Sequence, residues 1–420
     1  MGAESQNKEK IAQFLESGIY MFEDSNAVFV DPVRVLNRSY NHVRVSPSSY
    51  YTRFFESQPS NQDPRLSSTS RKRKRKQNVK EPRILNEREH IAEQRHREAR
   101  SFLLKARESL QKSTGLLDVL SNLRNDPSSS ADCEFSTLPV AQQSFVELGQ
   151  VWQAPLYEIT LNVRLSGQTN EDKDRTEKRI LSVFNNLIAN ETTDDAQAEF
   201  LTNHYIIPRE SCFYMSDVGQ IHNLVPANAD SGFNLIVVDP PWENASANQK
   251  SRYPTLPNRY LLSLPIMQLT HTEGALVALW VTNREKLRGF VERELFPAWR
   301  VSYAATFYWL KVKANGSLIG DLDLFHHRPY EILILGYSCG KATYSDRQSN
   351  FRPVKDNCVI MSIPGDYSRK PPIADLLMEY VPGVRPARCI ELFAREMITG
   401  WVSWGNEPLH FQDCRFFRRR

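Results

Sequence analysis

Four consecutive apolar residues, Leu235-Ile236-Val237-Val238, run straight into Asp239-Pro240-Pro241-Trp242. This stretch constrains the fold more tightly than any other. A β-branched run without polar alternation reads as a strand buried on both faces, as in a parallel sheet. Two successive prolines then forbid both ladder pairing and helix propagation, so the strand must stop at Asp239. In open α/β sheets, ligands bind beyond the carboxyl ends of strands. A carboxylate, two conformationally fixed carbonyls and an indole are therefore expected at a ligand edge.

The rest of residues 201–420 fits around that strand. Apolar segments alternate with helical ones, which predicts an α/β, doubly wound sheet. Further strands are expected at Ala275–Val281, Ser302–Val312, Tyr330–Leu335, Cys358–Ser362, Cys389–Phe393 and Trp401–Trp404. Helices are expected at Tyr260–Leu269, Arg284–Leu295 and Pro372–Val381, the last opening on prolines suited to a first helical turn.

At 420 residues and net charge +4 the chain has room for two domains. The six cysteines are scattered and form no CxxC pair, so neither a metal site nor a disulfide framework is expected. No stretch resembles a transmembrane span and MGAESQNKEK has no apolar signal core, which predicts an intracellular protein without membrane partners.

Three segments precede this α/β region. Residues 1–56 are read as a mixed β segment, with Ala27–Leu36 and His42–Val45 as two strands. Arg34, Arg38, Tyr40, His42, Arg44, Tyr50, Tyr51 and Arg53 mix cations with aromatics there, which suits base stacking plus phosphate contact; a strand pair with an aromatic core face is the alternative. Residues 57–82 are read as a disordered basic linker, because the run Arg71-Lys72-Arg73-Lys74-Arg75-Lys76 cannot pack. It reads as a nuclear localisation signal or a phosphate-gripping arm, and predicts a nuclear protein. Residues 83–200 are read as a helical and mixed accessory region. Asn86 and Glu89 predict a reciprocal N-cap, Gly115 a break between two helices, Tyr157–Leu165 a strand, and Lys178–Ala189 a short amphipathic helix.

The Asp-Pro-Pro-Trp group suggests a chemistry. An exocyclic amine on a nucleobase is a poor nucleophile, because its lone pair is delocalised into the ring. The Asp239 carboxylate and the Pro240 carbonyl can accept its two hydrogens and aim the nitrogen. Trp242 can stack on the base, a contact worth about 1–3 kcal/mol. The partner is then an electrophile held in line, such as a sulfonium methyl group. The alternative is a rigid turn whose Trp242 packs in the core.

Asp239-Pro240-Pro241-Trp242 resembles the signature of the adenosine N6-methyltransferases, and the resemblance covers most of residues 210–410. Ala278–Asn283, Trp309-Leu310-Lys311, Lys370-Pro371-Pro372, Ile390–Arg395 and Gly405-Asn406-Glu407 are similar to other family segments. The resemblance implies a Rossmann-like S-adenosylmethionine-dependent methyltransferase domain, circularly permuted and β-class-like, preceded by a mixed, partly helical N-terminal domain. It implies S-adenosyl-L-methionine as cofactor. Asp239, Pro240, Pro241 and Trp242 would form the catalytic group. Asp217 and Val218 would frame the cofactor adenine, Lys370 would neutralise its carboxylate, and Arg395, Asn406 and Glu407 would meet its ribose, with Asp239 also reaching its amino group. Glu407 stands where relatives carry Gln and Ala394 where they carry Gly, and Glu396-Met397 lacks a His-Asn pair found in some. Glu243–Leu256 is read as a mobile lid in which Asn244, Lys250, Arg252 and Tyr253 clamp the target nucleotide. His326, His327, Arg328 and Glu331 are expected along the same groove; a packed histidine is the alternative.

Within this family the long N-terminal region and the His326–Glu331 segment resemble a branch distinct from the messenger-RNA writer complex. That resemblance implies RNA as substrate, specifically 2′-O-methyladenosine in U2 small nuclear RNA; the size and basic character of residues 1–200 lead to the expectation that they replace a partner subunit. DNA adenine methylation and a non-catalytic RNA-binding scaffold are the alternatives.

Overall fold

The computed structural model describes residues 2–53, 86–125, 144–150, 153–164, 176–243, 255–324, 327–339, 352–366, 368–383 and 385–420. Seventeen strands are defined among them: β1 (Ile19–Met21), β2 (Ala27–Val30), β3 (Val43–Val45), β4 (Glu158–Arg164), β5 (Thr176–Ser182), β6 (Leu187–Asn190), β7 (Ala196–Phe200), β8 (Asn203–Ile207), β9 (Ser211–Met215), β10 (Leu235–Val238), β11 (Ala275–Val281), β12 (Val301–Lys311), β13 (Tyr330–Ser338), β14 (Val359–Ser362), β15 (Cys389–Leu392), β16 (Trp401–Gly405) and β17 (Phe417–Arg419).

The unbroken apolar run of β10 is buried along its whole length, between parallel neighbours β11 and β15. It lies inside an 11-stranded mixed sheet ordered β1-β2-β14-β12-β13-β11-β10-β15-β16-β9-β6. Most of its strands run parallel; β13, β6 and β1 are antiparallel to their neighbours. The two faces explain the two-sided burial. One packs Ile236, Val238, Leu279 and Ile334 against Leu103 and Leu110 of the helix Glu87–Lys112 and Leu287 of the helix Glu285–Phe290. The other packs Leu235, Val237, Trp280 and Trp309 against Ile373, Leu377 and Tyr380. The chain thus forms an α/β domain with helices on both faces of its sheet. No described helix is long and apolar enough to cross a membrane.

The N-terminal expectations need correction. Residues 19–30 do not form a separate unit: β2 pairs parallel to β14 and extends the main sheet. The stretch Ala27–Leu36 is not one strand, because Asp31 caps a helix over Pro32–Asn37. Its Oδ1 accepts from the amides of Val33 (3.1 Å) and Arg34 (3.3 Å), and Pro32 supplies a first-turn φ. The expected helix Lys178–Ala189 is instead β5 followed by β6. Accessibility alternates along β5 with a period of two, and β4 satisfies its backbone along seven register pairs. β5, β4, β7 and β8 form a second, four-stranded antiparallel sheet whose inner residues, such as Leu161 and Phe200, pack on Phe213 and Met397 of the main domain.

The helix Glu87–Lys112 begins as its sequence predicts. Asn86 Oδ1 accepts from the Glu89 amide and Glu89 returns the bond to the Asn86 amide, each at 2.9 Å. The break before the next helix, Thr114–Ser121, falls at Ser113 rather than Gly115. The basic run 71–76 lies outside the described residues.

Candidate active site

At the end of β10 the Asp239 amide donates to the Leu392 carbonyl at 3.2 Å, so the turn stays against β15. Beyond it the two prolines supply no amide donors, and each of their carbonyls accepts one bond from a nearby amide. The Trp242 amide donates to Pro240 O at 2.8 Å and the Leu256 amide to Pro241 O at 2.9 Å. A carbonyl oxygen accepts two bonds, so Pro240 O retains one lone pair for a ligand. The indole of Trp242 is only 7% exposed and its Nε1–H donates to Trp280 O at 2.9 Å. The ring therefore belongs to the core and offers no stacking face, contrary to expectation. The gain from burying an indole with its N–H satisfied outweighs that of leaving it at the rim.

Four buried charges alternate beside this turn. Lys370 Nζ lies 3.0 Å from Asp239 Oδ1 and 3.3 Å from Glu331 Oε2, and Glu331 also pairs with Lys311. Burial pushes the Lys370 ammonium down, but the Asp239 and Glu331 carboxylates outweigh it and hold its pKa above the ordinary value. Burial likewise raises Glu331, and the two lysines overcome this to bring it to about 2. Asp239 is the member left raised: burial and the Glu331 charge exceed the pull of Lys370 and Arg395. Glu391, on β15 beside Val237, has only the weaker pull of Lys370 to offset its burial. Burial, then the neighbouring Asp239 and Glu396 charges, push it up to about 8, so its carboxyl is largely protonated at neutral pH.

The position of Lys370 is set by its neighbour. Arg369 is buried between the rings of Tyr50 and Phe411, each 4.1 Å from its guanidinium carbon, and forks onto Glu396. Glu396 thus has a structural partner in Arg369. Pro371 and Pro372 then stiffen the chain on the other side.

Two clefts flank Phe393, a non-glycine residue held at φ 64°. Such a conformation costs about 1–3 kcal/mol and is found where surroundings over-determine it, often at sites. One cleft, of about 50 Å³, is lined by Asp239, Lys370, Glu391, Arg395, Trp280 and Phe393. The other, of about 220 Å³, is mainly apolar and lies between Ser216-Asp217-Val218, Pro241, Trp404 and Asn406, with Phe145 and Phe184 closing it from the N-terminal side. Asp217 Oδ1 accepts from the Gly219 amide at 2.7 Å and fixes the cleft wall. Gly405 permits the close approach of β16 to the Phe393 turn: a Cβ there would lie 3.0 Å from Ala394 O. Glu407 is paired with His410 at 3.1 Å.

Folding therefore brings Asp217, Val218, Asp239, Pro241, Lys370, Arg395 and Asn406 around two adjoining clefts. It does not bring Arg328 there. That guanidinium, 7% exposed, donates to Glu93 at 2.9 Å and to Leu324 O at 2.9 Å, tying the helix Glu87–Lys112 to the domain. Glu331 stands inside the charge network rather than on a substrate groove, and His327 is exposed with φ 62°. Asn244, Lys250, Arg252, Tyr253 and His326 lie outside the described residues, as does most of the expected lid. Sequence reasoning gave no role to Glu391, Arg369 or Lys311. The signal available for Glu391 was a carboxylate in mid-strand within an otherwise apolar segment.

Residues 233–407 match the MT-A70 family. The chain is similar to the mouse N(6)-adenine-specific methyltransferase METTL4, with 37% identity over 241 residues, covering 56% of this chain and 50% of the relative. It is 33% identical over 218 residues to the N6-methyladenosine RNA methyltransferase MTA1 of Pyricularia oryzae, covering 50% and 55%. It is 34% identical over 220 residues to the DNA N6-methyl methyltransferase of Caenorhabditis elegans, covering 51% and 56%. The chain spans about half the length of these curated relatives.

Proposed function

We propose that this protein, whose residues 233–407 match the MT-A70 family, is an S-adenosylmethionine-dependent adenine N6-methyltransferase acting on RNA. The observation that carries the reading is the Asp239–Lys370 pair at the carboxyl end of β10, beside a Pro240 carbonyl with one free lone pair and two adjoining clefts.

MT-A70 methyltransferases use S-adenosyl-L-methionine as methyl donor, and the residues present suit it. The apolar cleft with Val218, Phe393 and Trp404 suits an adenine, Asn406 a ribose, and the buried cations Lys370 and Arg395 a carboxylate. The cofactor supplies an electrophilic methyl group when bound. This chain's residues do the rest. Asp239 accepts one hydrogen of the target amine and Pro240 O the other, drawing the nitrogen lone pair out of conjugation. Lys370 favours the ionised form of Asp239 against its burial and holds the carboxylate in place. The low-dielectric surroundings strengthen both contacts. The target base must leave its stack to reach this edge. Trp242, packed in the core, acts by holding the turn.

RNA is the proposed substrate, in keeping with the similarity to the Pyricularia oryzae RNA enzyme, and 2′-O-methyladenosine in U2 small nuclear RNA is the target proposed from the resemblance of the sequence. The basic run 71–76 supports a nuclear site of action. Matched RNA and DNA oligonucleotides, methylated with labelled cofactor and analysed as nucleosides by mass spectrometry, test this. N6-methylated adenosine from RNA is expected. Faster turnover on DNA would select the second reading, which the similarity to the nematode DNA enzyme favours. Absence of cofactor binding by calorimetry would leave only a binding scaffold.

A further inference from the structure

We infer that Phe145 and Phe184, which the chain carries ahead of the family segment, form one wall of the slot that takes the purine of the cofactor, so that the N-terminal part of the chain completes the cofactor site. The inference rests on the reading above that the cofactor is S-adenosyl-L-methionine.

Neither ring lies within residues 233–407, and folding brings them to the same cleft from separate elements. Phe145 opens the short helix Phe145–Leu148. Phe184 lies where the chain crosses from β5 in the four-stranded sheet to β6 in the main sheet. That crossing is pinned on both sides of the ring. The Val183 amide donates to Tyr157 O at 3.1 Å, and the Asn185 amide to Met215 O at 2.9 Å. Phe184 itself is bridged to Met215, and from there the chain runs directly into Ser216-Asp217-Val218 on the cleft. Trp404 Nε1–H donates to Ser216 Oγ at 2.9 Å and the Ser216 amide to Gly405 O at 3.0 Å, so this part of the lining is fixed as well.

A role in the core does not by itself require two aromatic rings here. Phe145 stacks on Phe200 with ring centroids 5.9 Å apart, and Phe184 meets the same ring edge-on at 6.3 Å. Phe200, 1% exposed, touches both and does not line the cleft, whereas the other two do. An aliphatic side chain would gain as much from packing on Phe200, area for area. A flat ring adds a face or an edge for a second flat ring, worth about 0.5–1.5 kcal/mol beyond the buried area. The lining combines these rings with Val218, Pro241 and Trp404 and few polar groups. It suits an uncharged planar heterocycle and disfavours the charged amino-acid end of the same cofactor. That end has the cations Lys370 and Arg395 in the neighbouring cleft.

The test uses the full chain and calorimetric titration with S-adenosylhomocysteine, which carries the same purine. Phe145→Leu and Phe184→Leu are each expected to weaken its binding about fivefold. Gly149→Ala sets a methyl 3.1 Å from Phe184 Cε1 and should weaken binding by displacing the ring without removing it. Phe200→Leu is the control for a loosened core: it should lower the melting temperature and leave the affinity near that of the parent. Folded Phe145→Leu, Phe184→Leu and Gly149→Ala proteins that bind S-adenosylhomocysteine like the parent would overturn the aromatic wall. So would a Phe200→Leu protein that loses as much affinity as they do. A parent chain that binds no S-adenosylhomocysteine would remove the enzymatic reading and the purine slot with it. A parent that binds it, beside variants that bind it equally well, would remove the wall alone.

Discussion

Lys370 Nζ stands 3.0 Å from Asp239 Oδ1, so the carboxylate that ends β10 is held by a cation from a distant loop. The same ammonium reaches Glu331, which ties Asp239 into a run of alternating charges that ends at Lys311. The orientation of Asp239 is thereby fixed before any ligand arrives.

Asp239→Ala should abolish methyl transfer while leaving the fold intact, since Lys370 keeps Glu331 as partner. Loss of a preorganised polar contact to the reacting group typically costs about 10²–10³ in rate, and this residue contributes charge as well. Single-turnover assays with circular dichroism as a fold control provide the measurement; activity near the parent level would reject the assigned site.

Lys370→Met should be worse for stability than Asp239→Ala. It leaves Asp239 and Glu331 buried without their shared cation, and breaking such a buried pair costs about 3–5 kcal/mol. Urea unfolding at neutral pH should show a clearly lower midpoint, and cofactor affinity should fall. An unchanged midpoint would mean that the network carries little of the local stability.

Glu391 gives a pH signature. Its folded pKa of about 8 lies above its ordinary 4.5, so the native state binds more protons between those values. Its contribution is fully present below pH 4.5 and is lost as pH rises through about 8. Glu391→Gln replaces the neutral acid with a neutral amide and should flatten that decline. Denaturation midpoints at pH 5.5 and 8.5 should converge in the variant relative to the parent; parallel shifts would show that Glu391 does not titrate in this window. Glu331, at about 2, contributes in the opposite sense: its stabilisation is present above pH 4.5 and lost as pH falls toward 2.

Trp242→Phe should act through stability. The change leaves Trp280 O without its indole donor in a buried setting, at a cost of about 1–3 kcal/mol. Thermal unfolding should register the loss, while the KM for oligonucleotide stays within about threefold, because a buried ring contributes no base stacking to lose. A large rise in KM with unchanged stability would restore the stacking role.

Much of the frame was legible in the sequence where the determinants are local. The β10 run and its proline stop, and the Asn86–Glu89 cap, each depend on residues within one or two turns of chain, and the structure shows both. The readings that failed were of short ambiguous segments. Lys178–Ala189 satisfies a helical pattern on paper, but pairing with β4 supplies its backbone hydrogen bonds as a strand. Asp31-Pro32 splits an apparent strand because a capping carboxylate and a fixed φ outweigh the β-branched residues around them.

The sequence by itself determined that a buried strand ends in a carboxylate and a rigid turn, because prolines and apolar runs act on their own backbone. Only the tertiary structure decided what that carboxylate meets. Burial in a shared low-dielectric space couples Asp239, Lys370, Glu331 and Glu391, separates their pKa values and removes Trp242 from the ligand edge. It also decides that Phe145 and Phe184 line one cleft. Such contacts join residues far apart in the chain, and their energies depend on distance and burial, which no local pattern records.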